Sequence, residues 1–444
     1  MKHNFKKGLS FLLVALVMMT AIFSQPISAK AAEALDVQAE SAILVDAETG
    51  KILFAKNPNM ALPPASMTKM MTEYLVQEAI KEGKINWDTT TQISDYAYSI
   101  SADPTFSGIG LTQDKAYTVR ELYEAMAVFS DNGTTIALAE LVAGSEGEFV
   151  KMMNAKAEEM GLPDYNFVNS TGLANSSLGE NVPEGTDPNA NNRLSAKSAA
   201  LLAYNLVNDF PQALDVTSMT EVEFEGYTVE NLNWMLPHEA TFLKQFQYKG
   251  IDGLKTGYTD LAGYCFTGTA KQNGNRLISV VMKTDSKEAR FQETAKLMDY
   301  GFSQFEKKEL FPKGYQLEDK STLPVAKGKE DNVEIATKDD FTIPVKQGQE
   351  KNYSIKYNID KDKLNKEGEL TAPIKKGEKI GTAELVFEGN DYGYISAGIG
   401  DSTVDIVAQK SVEKDNWFML TLGAIGDFFA NLFSTVVDTV KGWF

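Results

Sequence analysis

The sequence has little of what most hydrolases and metalloproteins rely on: one cysteine, Cys265, and two histidines, His3 and His238. A single cysteine excludes an intramolecular disulfide framework. A zinc site would lack a second imidazole once the N-terminal segment is set aside, and it has no thiolate cluster to draw on. A Ser-His-Asp triad would rest on His238 alone. A hydrolytic nucleophile here is therefore expected to use a base other than histidine. Low-complexity tracts and repeats of fixed period are also missing, as is a basic stripe with interleaved aromatics. With 43 basic against 61 acidic residues the net charge is −18, a balance that repels a phosphate backbone and excludes nucleic acid as a partner.

What is present is enough for more than one core. A chain of 444 residues, 43% hydrophobic and 23% charged, reads as two globular domains plus terminal segments. Lys2, Lys6 and Lys7, the apolar run 9–23 and the small-residue pattern Ala29-Lys30-Ala31 predict a secretory signal over 1–31 and a mature start at Ala32. The alternative, an uncleaved membrane helix, would need roughly 20 apolar residues and the run is shorter. At the other end, Phe418, Leu422, Ile425, Phe429, Leu432, Phe433, Val436, Val440 and Trp443 recur in steps of three and four. This predicts an amphipathic helix within 411–444 that lies in the membrane interface, with a core helix packed on a β domain as the alternative. Its polar face is acidic, so binding would come from apolar area.

Between these ends, 42–45 and 51–55 are β-rich runs around a turn, and 251–258, 263–271 and 276–283 predict an antiparallel meander. Residues 67–81 carry a helical pattern. Thr118-Val119-Arg120-Glu121 is a capping box opening a helix over 120–129, and 287–302 predicts another helix. Strands at both ends of a mostly helical middle imply an α/β (α+β) domain whose sheet closes late in the chain. We expect this domain over 32–311 and a small all-β domain over 312–410, which carries no cluster of catalytic residue types.

Ser66-Met67-Thr68-Lys69 sets a hydroxyl and an amine three residues apart on one helix face. A lysine could act as base there if burial and neighbouring cations lower its pKa. Alone the pattern is weak, because Ser411-Val412-Glu413-Lys414 also fits it. Ser130-Asp131-Asn132 directly after the capped helix and Lys255-Thr256-Gly257 in a predicted strand change that. In this order the three motifs are the signature of the serine β-lactamase and penicillin-binding superfamily.

With Ala42-Ile43-Leu44-Val45-Asp46, Pro64-Ala65-Ser66-Met67-Thr68-Lys69 and Asp252-Gly253-Leu254-Lys255-Thr256-Gly257, the chain resembles the low-molecular-mass D-alanyl-D-alanine carboxypeptidases over roughly 34–407. The resemblance implies a β-lactamase/transpeptidase-like fold, an antiparallel five-stranded sheet flanked by helices, followed by a small β domain and a C-terminal amphipathic anchor. It implies that Ser66 attacks the carbonyl between two D-alanines, that Lys69 takes its proton, and that Ser130 and Lys255 relay a proton to the departing D-alanine. Asn132 would hold the substrate backbone, and the N–H groups of Ser66 and Tyr258 would form the oxyanion hole. Thr256, beside Gly257, and Arg290 would bind the terminal carboxylate. An arginine in an exposed first helical turn is otherwise a solvated charge, and Tyr258 departs from the histidine often found after Lys-Thr-Gly. Cys265 is expected to be a packed residue.

The resemblance further implies peptidoglycan stems ending in D-Ala-D-Ala as substrate, β-lactams as covalent inhibitors, and no metal or organic cofactor. It puts the enzyme at the outer face of the cytoplasmic membrane. Two alternatives stay open: a β-lactamase, although Glu230-Asn231-Leu232-Asn233 is one residue short of the class A Glu-x-x-Leu-Asn segment, and a non-catalytic sensor that keeps the fold.

Overall fold

The computed structural model describes residues 35–416, apart from 390, 397 and 401. The predicted signal and the predicted C-terminal anchor helix thus lie outside the described residues, and among these no helix is long and apolar enough to cross a membrane.

The opening hairpin forms from β1 (Ser41–Asp46) and β2 (Ile52–Lys56). Its turn is held by Asp46, whose carboxylate accepts from the Thr49 N–H at 2.8 Å. Nearly 200 residues later come β3 (Ile251–Thr259), β4 (Gly263–Gln272) and β5 (Asn275–Thr284). They complete one antiparallel sheet of order β2-β1-β5-β4-β3, as the sequence pattern predicts. In the register Ile43 faces Val280 on β5, and Thr267 of β4 faces Lys255 of β3. Arg276 spans the sheet to β3 with two 2.7 Å bonds to the Asp252 carboxylate. The strand carrying Lys-Thr-Gly is therefore a sheet edge, paired on one side only.

Helices cover both faces. On one, Ile43, Val45, Ile278, Val280 and Met282 pack with Met67, Met70 and Met71 and with Leu201 and Leu202, all fully buried. The methionines belong to α1 (Lys69–Lys81) and the turn before it, and the leucines to a later helix, Ala196–Asp209. Each such side chain contributes about 1.5–3 kcal/mol of burial free energy. On the other face lies the helix Lys287–Gln304 that follows β5. Its start is capped by Ser286, which accepts from the Ala289 N–H.

A second, helical core gathers Val76, Ile100, Leu122, Tyr123, Met126 and Ile136. They come from α1, α2 (Asp95–Ala102), α3 (Val119–Glu124) and α4 (Asn132–Ala143) and from the turn between α3 and α4. Further along the chain run α5 (Glu146–Glu159), α6 (Ala196–Asp209), α7 (Ala213–Thr217) and α8 (Lys287–Gln304). The edge β3 borders this helical lobe.

After α8 the chain is β-rich. Strand Phe305–Phe311 pairs with Phe341–Lys346, so the β-rich start expected at 312 falls inside this ribbon. A six-stranded sheet follows, built on Val333, Ile335, Ile380, Ala383 and Ile406. Lys51 in the opening hairpin meets Asp391 of this part at 2.9 Å. The second Ser-x-x-Lys pattern sits in this β-rich end, where Ser411 Oγ accepts from the Lys376 N–H.

Candidate active site

Ser66, expected to share one helix face with Lys69, does not sit in an α-helix. It lies in a 3-10 turn, Ala65–Thr68, that runs into α1 at Lys69. Pro64 precedes the turn and Ala65 is held at φ +49°. Lys69 is fully buried, and its Nζ lies 3.1 Å from Ser66 Oγ, 2.8 Å from Asn132 Oδ1 and 2.9 Å from the Thr171 carbonyl oxygen. Asn132 is fixed in that orientation because its Nδ2 donates to the Ser107 carbonyl at 3.0 Å. Two of the three neighbours of Lys69 can only accept. A neutral amine would spend its two N–H groups on them and turn its lone pair to the hydroxyl of Ser66. Burial first, and then the charge of Lys255, hold the Lys69 amine well below the ordinary lysine range.

The Ser-Asp-Asn motif is shaped by the capping box, which is present with both reciprocal bonds. The helix predicted over 120–129 does not end as an α-helix. Residues Ala125–Phe129 widen into a π-turn, and Ser130 follows in the left-handed region at φ +69°. That conformation costs a non-glycine residue on the order of 1–3 kcal/mol. It is held from beyond: Asp131 caps α4, accepting from the Thr134 N–H, and its other carboxylate oxygen accepts from the Ile109 N–H at 2.7 Å. Ser130 is buried, and its Oγ has no hydrogen-bond partner among the described residues.

From the sheet side, Gly257 explains how close β3 comes. A Cβ there would lie 2.6 Å from the Pro64 carbonyl oxygen and 3.2 Å from the Met67 nitrogen, both backbone atoms of the Ser66 turn. Lys255 and Thr256 are buried. Burial pulls the Lys255 ammonium down, against an upward pull from Glu73.

The motifs meet in a cavity of about 300 Å³, lined by Ser66, Ser107, Ser130, Leu232, Thr256, Gly257, Tyr258, Tyr264, Lys287 and Arg290. All nine residues singled out from sequence fall at or directly behind it. Arg290 corrects the expectation of an exposed turn. It is 3% exposed, with Nη1 3.4 Å from the Gly257 carbonyl and its guanidinium 4.7 Å from the Phe291 ring centre. Burial brings it down only to about 10, so it stays cationic at neutral pH. The Tyr258 side chain is half exposed, stacks on Tyr264 at 4.3 Å and donates to Asp260 at 2.9 Å. Cys265 is packed as expected, its thiol pushed up to about 11 by burial. His238 sits elsewhere, its Nε2 2.8 Å from the Asn233 carbonyl.

Sequence reading missed Thr171, Ser107, Leu232, Tyr264, Lys287 and Glu73. Thr171 is presented by an asparagine network. Asn169 Oδ1 accepts from the N–H groups of Thr171 and Gly172 at 3.2 and 2.7 Å, and Asn192 Nδ2 donates to Asn169 Oδ1 at 3.0 Å and to Thr68 Oγ1 at 3.3 Å. Glu146 accepts from the Ser170 N–H at 2.8 Å. The run of asparagines between 169 and 192 was the available signal.

The chain matches two family models, one described as D-alanyl-D-alanine carboxypeptidase over residues 28–286, the other as penicillin-binding protein 5, C-terminal domain, over residues 305–414. It is 33% identical over 390 residues to the D-alanyl-D-alanine carboxypeptidase DacF of Bacillus subtilis, covering 86% of this chain and 91% of that one. Its fold is similar to that of a peptidoglycan synthesis regulatory factor (PBP3) from Streptococcus pneumoniae, with TM-score 0.66 and 37% identity over 85% of this chain and 99% of that chain. It is also similar to penicillin-binding protein D2 from Listeria monocytogenes in its cefotaxime-bound form, with TM-score 0.52 and 32% identity over 61% and 99% of the two chains.

Proposed function

Because the chain belongs to the D-alanyl-D-alanine carboxypeptidase family, we propose that it removes the terminal D-alanine from peptidoglycan stem peptides through an acyl-enzyme on Ser66. The observation that carries this reading is the position of the Lys69 amine, 3.1 Å from Ser66 Oγ with two other neighbours that only accept. Lys69, whose burial favours the neutral amine, takes the Ser66 proton as Oγ attacks the carbonyl between the two D-alanines. The N–H groups of Ser66 and Tyr258 receive the developing oxyanion, each such donor being worth about 3–4 kcal/mol where it has been tested.

The proton then passes through Ser130, whose Oγ is free of other partners among the described residues, to the leaving amine, with Lys255 holding the relay in charge balance. Asn132 aligns the substrate backbone while it orients Lys69. Thr256, beside Gly257, and Arg290 bind the terminal carboxylate, and Lys287 lines the same cavity. Water then releases the shortened peptide and restores the Ser66 hydroxyl.

The family acts on the cell wall outside the cytoplasm. The finer reading is export by 1–31, a catalytic domain from 32 to the end of α8, a β-rich spacer from 305 to about 414, and beyond it an anchor on the outer membrane face.

Intact-mass analysis with penicillin, followed by a D-alanine release assay on a peptide ending in D-Ala-D-Ala, tests the proposal. A lasting adduct on Ser66 together with D-alanine release is expected, and both are lost in Ser66→Ala with folding preserved. Rapid penicillin turnover without an adduct would instead identify a β-lactamase, and neither activity a binding protein.

A further inference from the structure

The proposed mechanism leaves one buried acid unused. Glu73 follows Lys69 by four residues on α1 and so shares its face. It is 1% exposed, and neither carboxylate oxygen has a hydrogen-bond partner among the described residues. Its surroundings are polar but equally unpaired. The Tyr123 hydroxyl on α3 lies close enough to weigh on its ionisation but makes no hydrogen bond of normal geometry, and Nε2 of Gln77, whose Oε1 is taken by Gln212 at 3.1 Å, is buried without a partner. A buried carboxylate with no hydrogen bonds is a poor stabiliser, since an apolar residue of similar volume would serve the core better. An answering charge would offset that cost, and the cation that acts on it most is Lys255 on the edge strand β3.

We propose that Glu73 is a positioning residue for the reaction: its buried carboxylate holds the charge on Lys255 and so keeps the two buried lysines of the site in unlike protonation states. The inference rests on the role given to Lys255 above. Two lysines behind one 300 Å³ cavity oppose each other's charge, and an acyl transfer of this kind needs one neutral, as base, and one charged. The groups bearing on each lysine make the difference. Burial and Arg290 of α8 discharge Lys255, and Glu73 is the carboxylate that opposes them. Lys69 is discharged by burial and by Lys255, and Asp131 and Glu146 precede Glu73 among the anions that oppose this. Glu73 itself is pushed up by burial and drawn back by Lys255, Tyr123 and Lys69. Removing its charge therefore acts first on Lys255.

The test is the second-order rate of penicillin acylation from about pH 5 to about pH 10, in the full chain and in Glu73→Gln, Glu73→Asp and Lys255→Gln. An alkaline limb set by loss of the Lys255 proton moves to lower pH in Glu73→Gln, by at least about one unit, with a rate on the alkaline side at least about ten-fold below wild type. Glu73→Asp, which keeps the charge, returns the limb toward its wild-type position. A purely structural glutamate would change the rate without moving the limb. An unmoved limb in folded Glu73→Gln overturns the proposal. Should that variant not fold, Tyr123→Phe decides. Losing the hydroxyl makes Glu73 harder to ionise, so the limb again moves down, and an unmoved limb overturns the proposal there too. If Lys255→Gln acylates as fast as wild type, the reading of Lys255 fails and takes this one with it. If Lys255→Gln is inactive and the Glu73→Gln limb is unmoved, only the role of Glu73 is lost.

Discussion

Replacing Gly172 by alanine probes how tightly the Lys69 acceptor loop is locked against the nucleophile turn. Gly172 sits at φ +91°, and a Cβ there would lie 1.9 Å from the Ala65 carbonyl oxygen and 3.0 Å from the Ser66 nitrogen. An ordinary carbon–oxygen contact is about 3.3 Å, so about 1.4 Å has to be taken up by backbone, with no side chain free to yield. The left-handed conformation costs an alanine about 1–2 kcal/mol, and overpacking adds about 1–3 kcal/mol. The sum, about 2–5 kcal/mol, lowers Tm by roughly 5–15 °C. Because the atoms that move include the neighbours of Ser66 and the carbonyl held by Lys69, a displacement of about 1 Å also slows acylation on the order of a hundred-fold. Thermal unfolding by circular dichroism and the acylation rate with a fluorescent penicillin measure the two effects. A Tm within about 2 °C of wild type and an acylation rate within about two-fold would falsify the claim that these backbones are in mutual contact.

The other expectations concern the polar groups of the site. Asn132→Leu removes an acceptor from Lys69 and a donor from the Ser107 carbonyl; hydrogen bonds to an ionisable group are worth about 1.5–3 kcal/mol, so acylation drops about ten- to hundred-fold, read by stopped-flow with penicillin. Asp131→Asn shifts the acid limb of acylation. Lys69 acts while neutral, above its lowered pKa, and activity is lost as pH falls through it; the Asp131 charge raises that pKa, so removing it moves the limb to lower pH. The same change leaves one of the Thr134 and Ile109 N–H groups without its carboxylate oxygen, costing about 1–3 kcal/mol in denaturant unfolding. Arg290→Lys gives up the planar contact with Phe291 and raises KM for a D-Ala-D-Ala peptide more than it lowers kcat; equal loss in both would argue for a structural arginine.

How far the sequence announces this site depends on which atoms act. Where side chains act, identity and spacing are visible: Ser66 and Lys69 share a helix face, Ser130 and Asn132 flank a helix cap, and Lys255 to Gly257 lie on a strand whose alternation is plain. The sheet was legible for the same reason, since β1, β3, β4 and β5 each carry their own pattern, although β1 and β5 lie more than 200 residues apart. Where backbone acts, the signal vanishes. The carbonyl that Lys69 meets could belong to any residue at position 171, and only the glycine after it and the asparagines around it betray the constraint. Charge hides burial in a similar way. Arg290, Thr294, Leu297 and Met298 form one buried stripe of α8, a regular helical period in which the arginine reads as solvated until Phe291 and the Gly257 carbonyl are found beside it. Glu73 belongs to the same class, a charged residue buried on α1 where the spacing alone reads as a helix surface. Each of these charges sits in the core at a cost that local packing does not repay, so their placement has to be understood from the buried lysines and the cavity beside them.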